Sequence, residues 1–289
     1  MKIKFLLIIM LIIIVNSCQY EHLSEPKDKM KDIVRPLVPA AESIGLLHNS
    51  GCLFMKNNWD TSWDISSEQD FQVVWGMLCG YFKNYHYFDS VEIYDSLYDI
   101  LYRISSAENF HNELLEVFNE LKQHYVWTNL VSQQEKYFID ALFDIFNTNF
   151  SNMTHFQVST FIINKTDSLK TIWSTIDWDD TGDTLLALNV ITSIQNNGSG
   201  NLSFGAIDVL QKSAEFWRDN DPIPPFNPTL FSLLLKADAI GYIIGWGKAV
   251  KDDLDSGKLI PERQWIRIQK GIDGATFASL GWGLAKKFL

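Results

Sequence analysis

Residues 237–249, ADAIGYIIGWGKA, and residues 271–283, GIDGATFASLGWG, place a small residue at every fourth position. A period of four keeps these residues on one face of a helix, and small side chains let two helix backbones approach closely. The intervening residues 255–261, DSGKLIP, end one helix with glycine and open the next with proline. The sequence therefore predicts an antiparallel pair of small-residue helices. The small residues are Ala237, Gly241, Gly245 and Ala249, then Gly271, Ala275, Ser279 and Gly283.

This spacing also predicts which residues meet. We expect Gly241 and Gly245 to face Ala275 and Ser279 across a close helix crossing. Leucine at position 245 should then overpack the crossing at a cost of about 1 to 3 kcal/mol. Alanine should be nearly neutral, because its helix propensity offsets the added methyl group.

Spacing of the G-x-x-x-G type is also typical of membrane helix dimers, so a membrane-active hairpin is an alternative interpretation of these two helices. Charged residues within them, among them Asp238 and Asp273, make burial in lipid costly. The composition therefore favours tight packing inside a water-exposed domain.

Apolar residues in the rest of the chain also recur with a helical period. Phe138, Leu142, Phe146 and Phe150 recur every four residues and form one broad apolar face, and long runs of strict alternation are missing. We predict an all-α fold, a multi-helix bundle of about ten helices that ends in the small-residue pair. The predicted helices are 40–57, 66–83, 90–105, 107–125, 132–149, 154–175, 182–196, 202–218, 229–255 and 262–287.

The proline-rich residues 221–228, DPIPPFNP, are the strongest break in the helical pattern. They divide a helical body, 40–220, from a linker and C-terminal hairpin, 221–289, that should pack on the body. Residues 18–39 are polar, contain three prolines and lack a sustained period, so they are interpreted as a tether.

The first residues have the pattern of an export signal. Lys2 and Lys4 precede an apolar run from Phe5 to Val15, which is shorter than the roughly 20 residues of a transmembrane helix. Asn16 and Ser17 then precede Cys18, in an arrangement that resembles the lipobox of bacterial lipoproteins. The resemblance implies a signal peptide over 1–17, cleavage before Cys18 and a lipid on its thiol, as in an outer-membrane lipoprotein on the periplasmic or cell-surface face.

Four further stretches carry a resemblance to a family. IGLLHNSG at 44–51, LAL at 186–188, SAEFW at 213–217 and ADAIG at 237–241 look like an uncharacterised lipoprotein family of Bacteroidota. The resemblance would cover nearly the whole mature chain. It implies export, lipidation and an all-helical body, and it supplies no catalytic residue.

Composition limits the class of partner. The net charge of −11 and the pI near 4.9 exclude an electrostatic grip on nucleic acid, which requires a basic surface. An apolar fraction of 46% excludes an intrinsically disordered chain. We expect a membrane attachment through the N-terminal lipid and a partner that is an envelope protein or a glycan.

His48 and Asn49 form a polar pair inside an apolar helix and must find partners, because an unsatisfied buried group costs about 1 to 3 kcal/mol. They either join neighbouring helices or serve an envelope hydrolase in which His48 works with carboxylates distant in sequence. The six histidines lack the spacing of a zinc site. Two cysteines of the body, Cys52 and Cys79, lie in helical patterns and are expected to be buried free thiols.

Two groups of loop residues are candidate binding sites. The aromatic residues Trp59, Trp63, Tyr85 and Tyr87 would stack on a sugar or peptide ligand, or pack onto the core instead. The acidic stretch 177–183, DWDDTGD, begins like a calcium loop with oxygens at Asp177, Asp179 and Thr181. Leu188 stands where the loop needs a bidentate carboxylate, so an acidic turn between helices explains these residues equally well.

Motifs for phosphate, dinucleotide or nucleophilic serine chemistry are missing, and no cofactor is implied. The sequence thus favours a non-enzymatic, lipid-anchored helical module of the cell envelope. The hydrolase and the membrane-active hairpin are the alternatives.

Overall fold

A computed structural model describes residues 44–60, 62–85, 96–124, 126–176, 202–219, 228–257 and 264–280, all in one compact unit. Regular secondary structure in these residues is helical, without a β-strand, which confirms the all-α prediction. A single π-helical turn, Val126–Leu130, separates the fourth and fifth helices. The α-helices described are α1 Ile44–Asn58, α2 Glu68–Tyr85, α3 Ser96–Ser106, α4 Phe110–Gln123, α5 Gln133–Ile145, α6 His155–Trp173, α7 Leu202–Asp219, α8 Pro228–Asp255 and α9 Gln264–Ser279.

Local side-chain chemistry sets several helix ends. The Ser132 hydroxyl accepts the Glu135 amide at 3.0 Å and begins α5. Thr154 and Gln157 form a reciprocal capping box at the start of α6. Gly257 follows α8 with a φ of 66°, a left-handed conformation that glycine adopts without strain.

The predicted helix 132–149 is too long. Helix α5 ends at Ile145 with Phe146 as its C-cap, so Phe150 does not continue the apolar helix face. Phe150 is nevertheless buried, because the chain turns back and places its ring against Phe161 of α6 at 5.7 Å. The predicted helix 182–196 lies outside the described residues.

Helices α8 and α9 lie at the centre of the described fold. Every residue from 237 to 247 is buried, as is every residue from 267 to 280 except Lys270. A helix buried on all sides belongs to a core. The predicted pair is therefore surrounded by the other described helices, with α7 and α1 packed against it.

The residues at the α8–α9 crossing differ from those predicted. A Cβ atom on Gly245 would lie 1.9 Å from the Lys270 carbonyl oxygen, and one on Gly241 would lie 2.4 Å from the Gly274 oxygen. Ala275 and Ser279 do not line this contact. With 3.6 residues per turn, a strict four-residue stripe drifts around its helix, so the seam follows Gly271, Gly274 and Ala278 instead.

Candidate functional site

Helix α1 carries the best candidate residue, His48, into the interior. Two glycines allow the close approach: a Cβ atom on Gly45 would lie 2.4 Å from the Asp208 carbonyl oxygen, and one on Gly51 would lie 2.7 Å from the Phe82 ring. His48 is fully buried as a result. Its side chain reaches Asp238 of α8.

Three side chains surround the His48 ring. Nδ1 lies 3.0 Å from the Asn49 Oδ1 atom, and Nε2 lies 3.4 Å from the Cys52 sulfur. Nε2 is also 3.8 Å from Oδ2 of Asp238 on α8. The structure therefore places a carboxylate distant in sequence beside His48, as the hydrolase alternative requires.

Asn49 determines the tautomer of His48. The Asn49 amide nitrogen donates to the Lys212 carbonyl at 2.7 Å, and a carbonyl only accepts. The Asn49 oxygen consequently faces His48 and accepts its Nδ1–H. Nε2 then carries the lone pair, which accepts the Cys52 thiol hydrogen.

Asp238 joins this arrangement to two further helices. Ser279 of α9 donates its hydroxyl to Oδ1 at 2.5 Å, and Ser213 of α7 donates to Oδ2. Every one of these side chains is buried. We call His48, Cys52, Asp238, Ser213 and Ser279 the buried polar cluster.

Burial sets the protonation of this cluster. Desolvation lowers the pKa of His48 to about 4, although the hydrogen bond that His48 donates to Asn49 opposes this shift. Desolvation raises the pKa of Asp238 to about 7, although both serine hydroxyls favour the carboxylate. Between these values both side chains are neutral. Burial and the Asp238 charge raise the pKa of Cys52 well above its usual range, so Cys52 is a thiol.

In space, Cys52 contacts His48 and His48 contacts Asn49. A thiol-hydrolase triad has the same arrangement: the imidazole takes the thiol proton and an amide orients the ring. A working site also needs a substrate within reach of the sulfur. Two clefts of the described surface lie along α4 and between α3, α4 and α8, and neither includes a residue of the buried polar cluster. Cys52 itself is 3% exposed.

A second buried carboxylate also connects α1 to the core. Asp208 of α7 accepts the Gly45 backbone amide at 2.7 Å and the Lys170 ammonium at 2.5 Å. Desolvation raises the pKa of Asp208, while Lys170 opposes this shift. The Gly45 amide and the Asn49 side chain of α1 are thus both hydrogen-bonded to α7.

The tryptophan candidates lie after α1 and pack inward. Trp59 and Trp63 meet edge to face at 5.6 Å, and both are half-buried against the core. Tyr85 ends α2, and its side chain is not among the described ones. The remaining candidates lie outside the described residues: Cys18, Tyr87, Asp177, Asp179 and Thr181.

The described residues contain no group of three histidine, cysteine or acidic side chains able to hold a metal ion. None of the helices within these residues is long and apolar enough to cross a membrane. Cys52 and Cys79 are buried free thiols, as predicted.

Sequence reasoning did not assign Cys52, Asp238, Ser213 or Ser279 to the environment of His48. One signal was available: Asp208, Asp238 and Asp273 each interrupt an otherwise apolar helix, and a buried charge must have partners.

Comparison with known proteins adds no relative: no family model, curated protein or solved structure matches this chain.

Proposed function

We propose that this protein is a lipid-anchored helical module of the cell envelope that binds an envelope protein or a glycan and has no catalytic role. Cys18 would carry the lipid, and the acidic helical body would carry the binding surface. The outer membrane is the proposed location, on the periplasmic or cell-surface face.

One observation carries the non-catalytic part of the proposal. His48, the best catalytic candidate, is fully buried and has its hydrogen bonds inside the molecule. These bonds to Asn49 and Cys52 stay within α1, and Asn49 connects α1 to α7 through the Lys212 carbonyl. The charge of −11 supports a partner other than nucleic acid.

The proposal is tested by separating the two partner classes. Photo-cross-linking amino acids are placed at the exposed positions Leu46, Leu53, Tyr137 and Phe156. In intact cells, a protein partner gives a discrete cross-linked species at some positions and not at others. A glycan partner gives none, but the purified body then co-sediments with insoluble envelope polysaccharide. Failure of both arms would overturn the proposal.

A thiol hydrolase is the second candidate, because His48 Nε2 lies 3.4 Å from Cys52 and 3.8 Å from Asp238. This function would require α1 to move, since the sulfur is buried. It predicts that a fluorescent iodoacetamide labels Cys52 in the native protein faster than Cys79, and that His48→Gln slows this labelling.

The two cysteines make a matched pair for this test. Cys52→Ser and Cys79→Ser each leave one buried thiol to be labelled. The binding-module proposal expects both thiols to react only after unfolding in urea. Rapid native labelling of Cys52 alone would favour the hydrolase.

A further inference from the structure

A small cleft lies where α3, α4 and α8 meet, away from the buried polar cluster. Its cavity volume is about 150 Å³. Apolar side chains form its floor: Ile100 of α3, Val117 and Leu121 of α4, and Ile244 of α8. A cavity of about this size with apolar walls accommodates a benzene-sized body.

The rim of the cleft is cationic, although the protein is acidic. Lys248 and Lys251 of α8 line it, whereas their ion-pair partners Asp252 and Asp255 do not. Both aspartates are exposed, at 46% and 58% of their side-chain surface. Exposed ion pairs of this kind contribute at most about 1 kcal/mol, so an anionic ligand can compete for the lysines.

Two other polar side chains line the cleft, His124 and Glu120. His124 accepts the Val126 amide on Nδ1 at 3.2 Å, which leaves Nε2–H as a hydrogen-bond donor. Glu120 is the acidic residue among the lining side chains, and Arg103 binds both of its oxygens at 2.9 and 3.0 Å. Arg103 also binds Glu113 at 2.5 Å and lies 3.7 Å from Glu116, so it offsets the charge of Glu120 only in part.

We propose that this cleft binds a small anionic amphiphile, a monocarboxylate whose apolar body has about the volume of benzene. The apolar body would contact Ile100, Val117 and Ile244, and the carboxylate would meet the ammonium groups of Lys248 and Lys251. The ligand class follows from the apolar floor and the position of the cationic groups. This inference is independent of the proposed anchoring and of the buried polar cluster.

Three probes separate the contributions of chain and charge. Hexanoate has both, hexanol has the chain without the charge, and acetate has the charge without the chain. Isoleucine methyl NMR of the whole mature protein reports binding at Ile100 and Ile244. Hexanoate should shift these methyl signals with an affinity about tenfold higher than that of hexanol, as a charge-assisted hydrogen bond provides. Acetate should leave them unchanged.

Variants of the cleft complete the test. Lys248→Gln and Lys251→Gln should each weaken hexanoate binding about tenfold and leave hexanol unaffected. Lys165→Gln, an exposed lysine on α6, is the matched control and should change neither. Ile100 is half-buried at the cleft, so Ile100→Trp should fill it without unfolding the core and abolish binding of both probes. A thermal melt of each variant verifies that it is folded.

Three results would overturn the proposal. Equal affinity for hexanol and hexanoate would remove the anionic specificity. Hexanoate binding that is unchanged in both Lys248→Gln and Lys251→Gln would also show that the cleft does not select an anion. If the methyl signals that shift belong only to isoleucines outside the cleft, or if none shifts at millimolar hexanoate, the ligand does not bind in the cleft.

Discussion

His48 and Asp238 hold one proton between them over the mildly acidic range. In the folded protein their pKa values are about 4 and about 7, so the carboxyl carries the proton and the imidazole is neutral. In the unfolded chain, with ordinary values of 6.5 and 3.8, the imidazole carries it. Folding therefore moves a proton from His48 to Asp238 with almost no net uptake. The pair should leave stability nearly independent of pH between about 4 and 7.

Single substitutions should expose two opposite pH dependences. Asp238→Asn leaves the depressed pKa of His48, so stability should be lost as the pH falls from about 6.5 to 4. His48→Gln leaves the raised pKa of Asp238, so stability should be lost as the pH rises from about 4 to 7. The total change in stability over each range should be about 3 to 4 kcal/mol, because each pKa unit corresponds to about 1.4 kcal/mol.

Urea unfolding at several pH values between 4 and 7.5 measures these slopes. The unsubstituted protein is the reference, and each slope is read as a difference from it, so that other titrating groups such as Asp208 and His111 cancel. Two variants with the same flat profile would contradict a neutral buried pair.

The α8–α9 crossing shows how packing of whole elements overrides helix propensity. A Cβ atom on Gly245 would meet a backbone carbonyl at 1.9 Å, and a backbone atom cannot rotate away. The two helices must separate, which costs about 1 to 3 kcal/mol. The sequence-based expectation that alanine is neutral at this position is therefore wrong.

Glycine-to-alanine substitutions on two helices test this conclusion. Gly245→Ala should lower the free energy of unfolding by about 1 to 3 kcal/mol. Gly76→Ala on α2 is the matched control, since its Cβ atom meets nothing within 4 Å, and it should gain about 0.5 to 1 kcal/mol. Thermal or urea melts of both variants measure the difference. Equal stabilities would show that the seam tolerates a methyl group.

A buried ion pair also joins α8 to α9. Arg267 donates Nε–H to Asp253 at 2.8 Å, and both side chains are almost fully buried. Arg267→Met should cost about 3 to 5 kcal/mol, because it removes the main cation beside a buried carboxylate. Lys251→Met, which breaks a largely exposed pair, should cost about 1 kcal/mol or less. Urea unfolding measures both, and similar losses would mean that the buried pair is no stronger than the surface one.

The sequence predicted those features that depend on near neighbours. Gly257 acts within one helical turn, so the end of α8 beside it was recognisable. The environment of His48 was not, because Asp238 lies 190 positions away and its approach depends on how α1 and α8 pack. Which residues of α8 and α9 meet depends on the angle and position at which the two helices cross, and a stripe of small residues does not specify these.

At the scale of the whole molecule, the acidic charge disfavours contact with an anionic membrane, whereas the proposed lipid would attach the protein to it. Cleavage before Cys18 would remove Lys2 and Lys4 and no acidic residue, which lowers the net charge from −11 to −13. A body of this charge is repelled by anionic headgroups. Attachment to a membrane would therefore depend on the proposed lipid.

With the signal peptide replaced by one whose cleavage does not require Cys18, Cys18→Ala should consequently release the protein from the membrane fraction and leave the helical body folded, because position 18 precedes the described helices, which begin at Ile44. Cys52→Ala is the matched control: it also removes one thiol, and it should remain with the membranes. Fractionation before and after a high-salt wash, with circular dichroism of the released protein, measures both effects. The wash matters because it removes proteins bound by charge and leaves those held by acyl chains. Cys18→Ala protein that has lost residues 1–17 and still resists the wash would be held by something other than a lipid on Cys18, and the lipoprotein proposal would then be wrong.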